Sequence, residues 1–303
     1  MILHLDTPLL YSHALSEQLN KQLWLKMDAL QPSGSFKIRG IGYACQHYAQ
    51  QGKTRFVSSS GGNAGIAVAY AGRRLNIPTL VVVPETTSEH ARRLIQREKA
   101  ELLVVGRNWN EANDHAQALL QENDAFIHPF DDPLLWKGHA SLIAEVAAQG
   151  IRPDAILLSV GGGGLLSGIA QGMQDHGWQD TPIIAVETHG TASLGESVRQ
   201  RKHVTLDSVQ GIATTLAARQ VCTQAYSLSQ TRPIHCAQVS DAQAVSACLR
   251  FLTDHRVLVE PACGAMLATA YLDHEVLAPY QNILAIVCGG STSTLAQLVQ
   301  WKG

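Results

Sequence analysis

Short apolar runs, many of them rich in β-branched residues, alternate along this chain with longer alanine-rich or amphipathic segments. The apolar runs predict strands and the longer segments predict helices. The predicted strands are 24–27, 56–58, 79–83, 102–105, 125–127, 155–160, 183–186 and 283–287, and the predicted helices are 37–51, 64–75, 88–98, 109–120, 134–149 and one that follows residue 164. Continuous apolar strands separated by helices are typical of parallel sheets covered on both faces. The pattern therefore predicts a doubly wound α/β fold.

Composition narrows the class of protein without naming it. The chain has 303 residues, which is enough for one large or two modest domains with buried cores. Its 23 Lys and Arg residues nearly balance 25 Asp and Glu residues, and the charges form no basic stripe or acidic tail. We therefore expect neither nucleic acid nor an anionic membrane as a primary partner.

The first residues and the cysteines point to a cytoplasmic protein. Residues 1–6 lack the basic region and the long apolar run of a signal peptide, and no stretch reaches the ~20 apolar residues that cross a bilayer. The 6 cysteines are spread out, without a C-x-x-C pair or the spacing of metal ligands. Reduced, buried thiols in a reducing compartment are the natural interpretation.

Four glycines, Gly161 to Gly164, lie between a buried strand and a helix. Glycine permits a positive φ and close backbone approach, so successive N–H groups beside a helix N-terminus suit a phosphate. A tight strand–helix turn is the alternative, but it needs only one or two glycines. Leu166 stands where the last glycine of G-x-G-x-x-G belongs, so a dinucleotide is disfavoured.

Two other turns follow strands and have two interpretations each. The residues from Ser58 to Gly65 offer hydroxyls, N–H groups and a helix dipole to a carboxylate, or simply cap a helix. Cys288 ends a strand at the sheet edge where ligands bind in doubly wound folds, or is a small buried apolar residue.

Lys37 lies in the stretch from Pro32 to Gly40, between an aromatic ring and an isoleucine. Read alone, it is a surface lysine at the start of a helix. An amine held in a pocket, partly desolvated and able to form a Schiff base, is the other interpretation. The three turns described above favour the second.

Together these segments resemble the serine/threonine dehydratases among the pyridoxal-phosphate enzymes of fold type II. The resemblance covers nearly the whole chain and rests on residues 7–9, 25–28, 31–40, 59–65, 161–164, 186–188, 259–265 and 288–291. It implies two doubly wound domains with mainly parallel sheets. Residues 32–131 would form a small domain that carries the Lys37 and Ser59–Asn63 loops, and residues 1–31 and 132–303 a large cofactor-binding domain.

The resemblance also implies a role for individual residues. Lys37 would form the Schiff base with pyridoxal 5′-phosphate and act as the catalytic base. The other predicted cofactor-binding residues are Phe36, Asn63, Gly161, Gly162, Gly163, Gly164, Leu165, Ala213, Cys288 and Gly289. The substrate carboxylate would bind at Ser59, Ser60, Gly61, Gly62 and Asn63. Glu187 would contribute to a site for a monovalent cation such as K⁺.

The activity expected from this resemblance is α,β-elimination from L-serine or L-threonine, giving a 2-oxo acid and ammonia in amino-acid catabolism. A thiol at Cys288, rather than a carboxylate, favours prompt loss of the β-hydroxyl group. A racemase, a β-replacement enzyme of the same fold and a non-catalytic amino-acid sensor are the alternatives. The racemase pattern has a serine where this chain has Gly61, and β-replacement relatives usually have Ser or Thr in place of Cys288. A cytoplasmic homodimer is expected from the family.

Overall fold

The computed structural model describes residues 2–302, which form two sheets and the helices that pack against them. The strands are β1 Leu9–Tyr11, β2 Gln22–Lys26, β3 Arg55–Ser58, β4 Thr79–Val83, β5 Glu101–Val104, β6 Asp124–Phe126, β7 Ala155–Ser159, β8 Ile183–Thr188, β9 Ile234–Val239 and β10 Asn282–Ile286. The helices are α1 His13–Leu19, α2 Lys37–Gln50, α3 Asn63–Leu75, α4 Glu89–Arg97, α5 Trp109–Ala118, α6 Pro133–Ala148, α7 Gly164–Asp175, α8 Ser193–Gln200, α9 Thr223–Thr231, α10 Asp241–His255, α11 Pro261–Tyr271 and α12 Leu295–Lys302.

The larger sheet has six strands in the order β1-β2-β10-β7-β8-β9, and the smaller has four in the order β5-β4-β3-β6. All neighbouring strands run parallel except β1, which is antiparallel to β2. Each predicted strand and helix is present, so the predicted α/β fold with mainly parallel sheets is confirmed. The strands β1 and β9 were not predicted.

The two sheets take their strands from different parts of the chain. All four strands of the smaller sheet lie between residues 55 and 126, and the strands of the larger sheet lie before or after them. We therefore propose residues 32–131 as the small domain and residues 1–31 with 132–303 as the large domain.

The largest apolar core surrounds the central strands of the larger sheet. Every residue of β7 and of α11 is buried. A fully buried Leu or Ile side chain contributes ~1.5–3 kcal/mol relative to an exposed one, so this region holds the residues that follow its strands in fixed positions. Among residues 2–302, no helix has the length and apolar character needed to cross a membrane.

The helices begin in two different ways. Ser88 accepts a hydrogen bond from the Ala91 N–H at the start of α4, and Asp132 caps α6 in the same manner. In contrast, α3 and α7 follow Gly62 and Gly163 and have no side-chain cap. Both helices come directly after the carboxyl end of a parallel strand. Their first N–H groups are therefore available to a ligand at that sheet edge.

Candidate active site

The stretch before Lys37 is joined to the turn after β10. The Phe36 N–H donates to the Cys288 carbonyl at 3.1 Å, and the Gly290 N–H donates to the Gly34 carbonyl at 2.8 Å. These antiparallel contacts place the first residue of α2 beside the turn that carries Cys288. The structure thus brings together two segments that lie some 250 residues apart in sequence.

The Lys37 side chain is partly buried. Its Nζ donates to the Pro129 carbonyl at 2.6 Å and lies 5.1 Å from the centre of the Phe36 ring. Burial lowers the pKa of Lys37 to about 8, and nearby Cys288 and Glu260 oppose that shift. Because the uncharged amine is the nucleophile and the base, a pKa near neutrality suits both roles.

Gly161 to Gly164 form a turn with free backbone donors. Gly163 has φ +86°, in the region that favours glycine, and α7 begins at the next residue. Within residues 2–302, the N–H groups of these four glycines have no hydrogen-bond partner. Unpaired N–H groups at a helix N-terminus fit a phosphate dianion, so this turn suits the phosphate of the predicted cofactor.

The segment His128–Phe130, which the sequence did not identify, connects Lys37 to the glycine turn. Its Pro129 carbonyl binds the Lys37 amine, and its Phe130 ring packs against the backbone of the glycine turn. A Cβ atom on Gly162 would lie only 2.3 Å from that ring. The need for glycine at this position is therefore steric, and a side chain would displace Phe130.

The turn after β3 has a mixture of paired and free groups. The Ser59 hydroxyl is buried and donates to Asn113, whereas the Ser60 hydroxyl accepts from the Gly62 N–H at 3.3 Å. The N–H groups of Ser60, Gly61 and Asn63 have no partner in the described part of the chain. The backbone of the turn, rather than the Ser59 side chain, is thus the part suited to a carboxylate.

Gly61 faces the loop before α4. A Cβ atom on Gly61 would lie 2.3 Å from the Thr87 hydroxyl oxygen and 2.8 Å from its methyl carbon. Any side chain here would therefore require Thr87 to move.

A buried carboxylate that the sequence analysis did not identify as a site residue binds side chains from three segments of the site. Glu260 accepts hydrogen bonds from Asn63 Nδ2 at 2.7 Å, from Thr292 Oγ1 at 2.6 Å and from the Thr215 hydroxyl. Its segment was noted only as part of the family resemblance. The single available signal was an acidic residue directly before a proline and an apolar helix, which is too common to identify a site.

Cys288 and Ala213 are buried at the edges of this site. Hydrogen bonding to Cys263 and burial both raise the pKa of Cys288, so it is a neutral thiol. Ala213 precedes the short helical turn Thr214–Leu216, whose backbone lies against Gly161. The turn that follows Ala213 is therefore close to both glycine turns, and the contacts of Ala213 and Cys288 with a cofactor ring remain predictions.

Glu187 lies one strand away from the glycine turn, at the end of β8. Its two oxygens accept the Leu194 N–H at 2.8 Å and the Gly195 N–H at 2.7 Å, at the start of α8. Burial raises the pKa of Glu187 to about 7, and these two hydrogen bonds oppose the shift. No group of three or more His, Cys, Asp or Glu residues in 2–302 could hold a metal ion.

Comparisons with known proteins identify the family and the fold. A family model described as pyridoxal-phosphate dependent enzyme matches residues 2–289, so the chain belongs to that family. A human protein named L-serine dehydratase/L-threonine deaminase is 45% identical, and the alignment covers 98% of this chain and 94% of that protein. A Dictyostelium discoideum L-serine dehydratase is 44% identical, with 98% and 91% covered.

Solved structures give the same class. A fungal L-serine ammonia-lyase from Rhizomucor miehei has a TM-score of 0.94 at 36% identity, covering 99% of this chain and 98% of that one. The processed form of threonine deaminase isoform 2 from Solanum lycopersicum has a TM-score of 0.88 at 26% identity, with 98% and 87% covered. A maize serine racemase, 24% identical with a TM-score of 0.89, shares the fold. The predicted fold type II architecture is thus confirmed.

Proposed function

We propose that this chain is an ammonia-lyase that converts L-serine, L-threonine or both into a 2-oxo acid and ammonia. The observation that carries the proposal is the Lys37 amine, whose pKa burial lowers to about 8, in a site with two uncapped glycine turns. The relatives named above as serine dehydratase or threonine deaminase support the choice of substrate. The reaction balances, because the water lost in the elimination is taken up again on hydrolysis, and the atoms of serine equal those of pyruvate and ammonia.

The residues present fit pyridoxal 5′-phosphate. The free N–H groups of Gly161 to Gly164 would hold the phosphate, and Lys37 would attach the cofactor covalently. Phe36 and Ala213 would flank the ring, with Cys288 near its nitrogen. When bound, this cofactor supplies an electron sink for the carbanion that forms at the substrate Cα.

The chain's own residues position the substrate and move its protons. The free N–H groups of the turn after β3 would bind the substrate carboxylate, so the amino acid has one orientation. The Lys37 amine, uncharged above about pH 8, would then take the Cα proton. Because Cys288 is a neutral thiol, it gives the ring nitrogen no carboxylate partner, and this favours loss of the β-hydroxyl over a long-lived carbanion.

Racemisation needs a proton donor on the opposite face of the substrate. The racemase pattern has a serine there, whereas this chain has Gly61, which has no side chain to donate a proton. The space for one is also absent, because a Cβ atom would lie 2.3 Å from the Thr87 hydroxyl. These two observations favour elimination.

The experiment that tests this proposal is a substrate panel. The protein loaded with pyridoxal phosphate is incubated with L- and D-serine, L- and D-threonine and O-acetyl-L-serine with sulfide. Release of a 2-oxo acid from the L-hydroxy amino acids, without conversion to the D-enantiomer, is the expected result. Formation of cysteine or of D-serine at a higher rate than the 2-oxo acid would overturn the proposal.

The lowered pKa of Lys37 predicts how cofactor loading depends on pH. Covalent attachment needs the uncharged amine, whose fraction rises about tenfold between pH 7 and pH 9 for a pKa of about 8 and then levels off. Stopped-flow absorbance after adding pyridoxal phosphate to the apoenzyme measures this rate, with N-α-acetyl-lysine as the control. A rate that continues to rise in parallel with the control amine above pH 9 would contradict the prediction.

We also propose a monovalent cation near Glu187, as the family resemblance implies. Burial disfavours the ionised form of Glu187, and a cation beside it would stabilise that form. Replacing tetramethylammonium chloride with KCl is expected to raise the activity and the unfolding temperature of the wild-type protein, and to do neither in Glu187→Gln. Equal values in both salts for the wild type would exclude the cation.

From the same resemblance we propose a cytoplasmic homodimer. Light scattering of the purified protein measures its mass. A value near the 32.7 kDa of one chain would show that it is a monomer.

A further inference from the structure

We propose that Glu260 is a positioning residue: it orients the Asn63 carboxamide so that an N–H donor, and not the carbonyl oxygen, is presented to the ligand. The inference deepens the proposed function, because it rests on a cofactor oxygen being the group that Asn63 binds. Glu260 lies directly before α11 and is 2% exposed.

The carboxylate of Glu260 is bound entirely by neutral donors. The Asn63 amide and the Thr215 hydroxyl donate to Oε1, and the Thr292 hydroxyl donates to Oε2, with the Thr292 N–H at 3.4 Å. No ion pair includes Glu260 in the described residues. A buried carboxylate without an ion-pair partner is costly to stability, so a role in binding explains its position better than a role in stability does.

The backbone around Glu260 leaves room for its carboxylate. Gly290 has φ +127°, and a Cβ atom on it would lie 2.0 Å from the Glu260 Cδ atom. The turn that follows Cys288 is therefore shaped around Glu260, since no side chain at position 290 would be compatible with it.

The orientation of the Asn63 amide follows from its two partners. Its Oδ1 accepts the Ser291 N–H at 3.0 Å, and its Nδ2 donates to Glu260 at 2.7 Å. In the flipped amide, two oxygens would face each other at Glu260 and two N–H groups would face each other at Ser291. Burial raises the pKa of Glu260, and its hydrogen bonds from Thr215, Thr292 and Asn63 oppose that shift. Because the carboxylate that these donors stabilise only accepts hydrogen bonds, Glu260 enforces one orientation.

This orientation leaves a donor for the ligand. An amide nitrogen carries two N–H groups, and only one of those on Asn63 has a partner within residues 2–302. Asn63 is 7% exposed, so its second N–H is a nearly buried donor without a protein acceptor. A negatively charged oxygen of the ligand would satisfy it, whereas an amide carbonyl turned the same way would repel that oxygen.

A double-mutant cycle tests whether Glu260 acts through Asn63. Glu260→Gln is isosteric, but its amide can both donate and accept, so it no longer dictates the Asn63 orientation. We expect its affinity for pyridoxal phosphate to fall about tenfold and the absorption maximum of the bound cofactor to shift. Asn63→Ala should show the same two changes, and the double variant should show no further loss.

Thr292→Val is the matched control, because it removes one hydrogen bond from the same carboxylate and leaves the Asn63 contact in place. Its absorption maximum should be that of the wild type. Losses that add in the double variant, or an unchanged affinity and spectrum in Glu260→Gln, would overturn the proposal. If Glu260→Gln does not fold, Glu260→Asp takes its place in the cycle, and its smaller loss should likewise vanish in the Asn63→Ala background.

These readouts do not depend on turnover. A protein that binds the cofactor but deaminates no amino acid would overturn the proposed function, while the cycle would still decide the role of Glu260.

Discussion

Replacing Lys37 with alanine is expected to abolish release of 2-oxo acid from L-serine and L-threonine, with a fall of at least about a thousandfold. One amine is proposed to serve twice, first as the point of covalent attachment and then as the base at Cα. That amine lies at the start of α2, with its Nζ held by the Pro129 carbonyl. Coupled release of the 2-oxo acid, measured with excess cofactor, checks this expectation.

Two control variants distinguish the loss of the reactive amine from the loss of positive charge and from a general effect of removing a lysine. Lys37→Arg keeps a positive charge but cannot act as a neutral nucleophile, so it should be as inactive as the alanine variant. Lys53→Ala removes a lysine of the same proposed domain whose Nζ donates to the exposed Glu122 carbonyl, and it should keep full activity. If purified Lys37→Ala still releases 2-oxo acid at a rate close to that of the wild type, the proposed mechanism is wrong.

The candidate site could be predicted in part because its turns carry local signals. Glycines that follow a strand, as at Gly161 to Gly164 and at Gly289, can be recognised in the sequence alone. Parallel strands bring their carboxyl ends to one edge of the sheet, so the turns that follow them lie close together. Glu260 had no such signal. Its role depends on donors from Asn63, Thr215 and Thr292, and their proximity is a property of the folded chain alone.

The central strands of the fold could be predicted from the sequence, whereas β1 and β9 could not. The central strands are buried on both faces, so they are continuously apolar and easily recognised. The edge strand β9 alternates between exposed and buried positions and includes His235 and Gln238, and β1 has only 3 residues. Such strands are defined by pairing with a neighbour, which the sequence pattern does not record.

Arg39→Ala is expected to lower the free energy of unfolding by about 3–5 kcal/mol, because it leaves the buried Asp28 carboxylate without its ion-pair partner and removes one of the two cations that bind Glu145. The Arg39 side chain is fully buried two residues after Lys37. It binds Asp28 through two hydrogen bonds of 2.6 and 2.8 Å, and it binds Glu145 through two of 2.5 and 2.7 Å. Lys26 also contacts Glu145 at 2.5 Å, but it cannot reproduce the two paired contacts of a guanidinium group.

This network connects α2, which carries Lys37, to both chain segments of the proposed large domain. Asp28 follows β2 and Glu145 lies on α6, so Arg39 joins three segments that are distant in sequence. The loss should therefore appear in cofactor binding as well as in stability, since α2, which carries Lys37, would lose its attachment to Asp28 and Glu145. Urea unfolding of the holoenzyme and titration of the apoenzyme with pyridoxal phosphate measure the two effects.

An exposed arginine provides the matched control for this variant. Arg93 pairs with Glu89 one helical turn away on α4, and both side chains are largely exposed. Solvent and side-chain entropy reduce the value of such a pair to ~0.3–0.5 kcal/mol, so Arg93→Ala should be nearly neutral. The two variants remove the same side chain and differ in burial. A loss in Arg39→Ala no larger than that in Arg93→Ala would contradict the argument, because it would mean that Asp28 and Glu145 find solvent or other partners when the guanidinium group is removed.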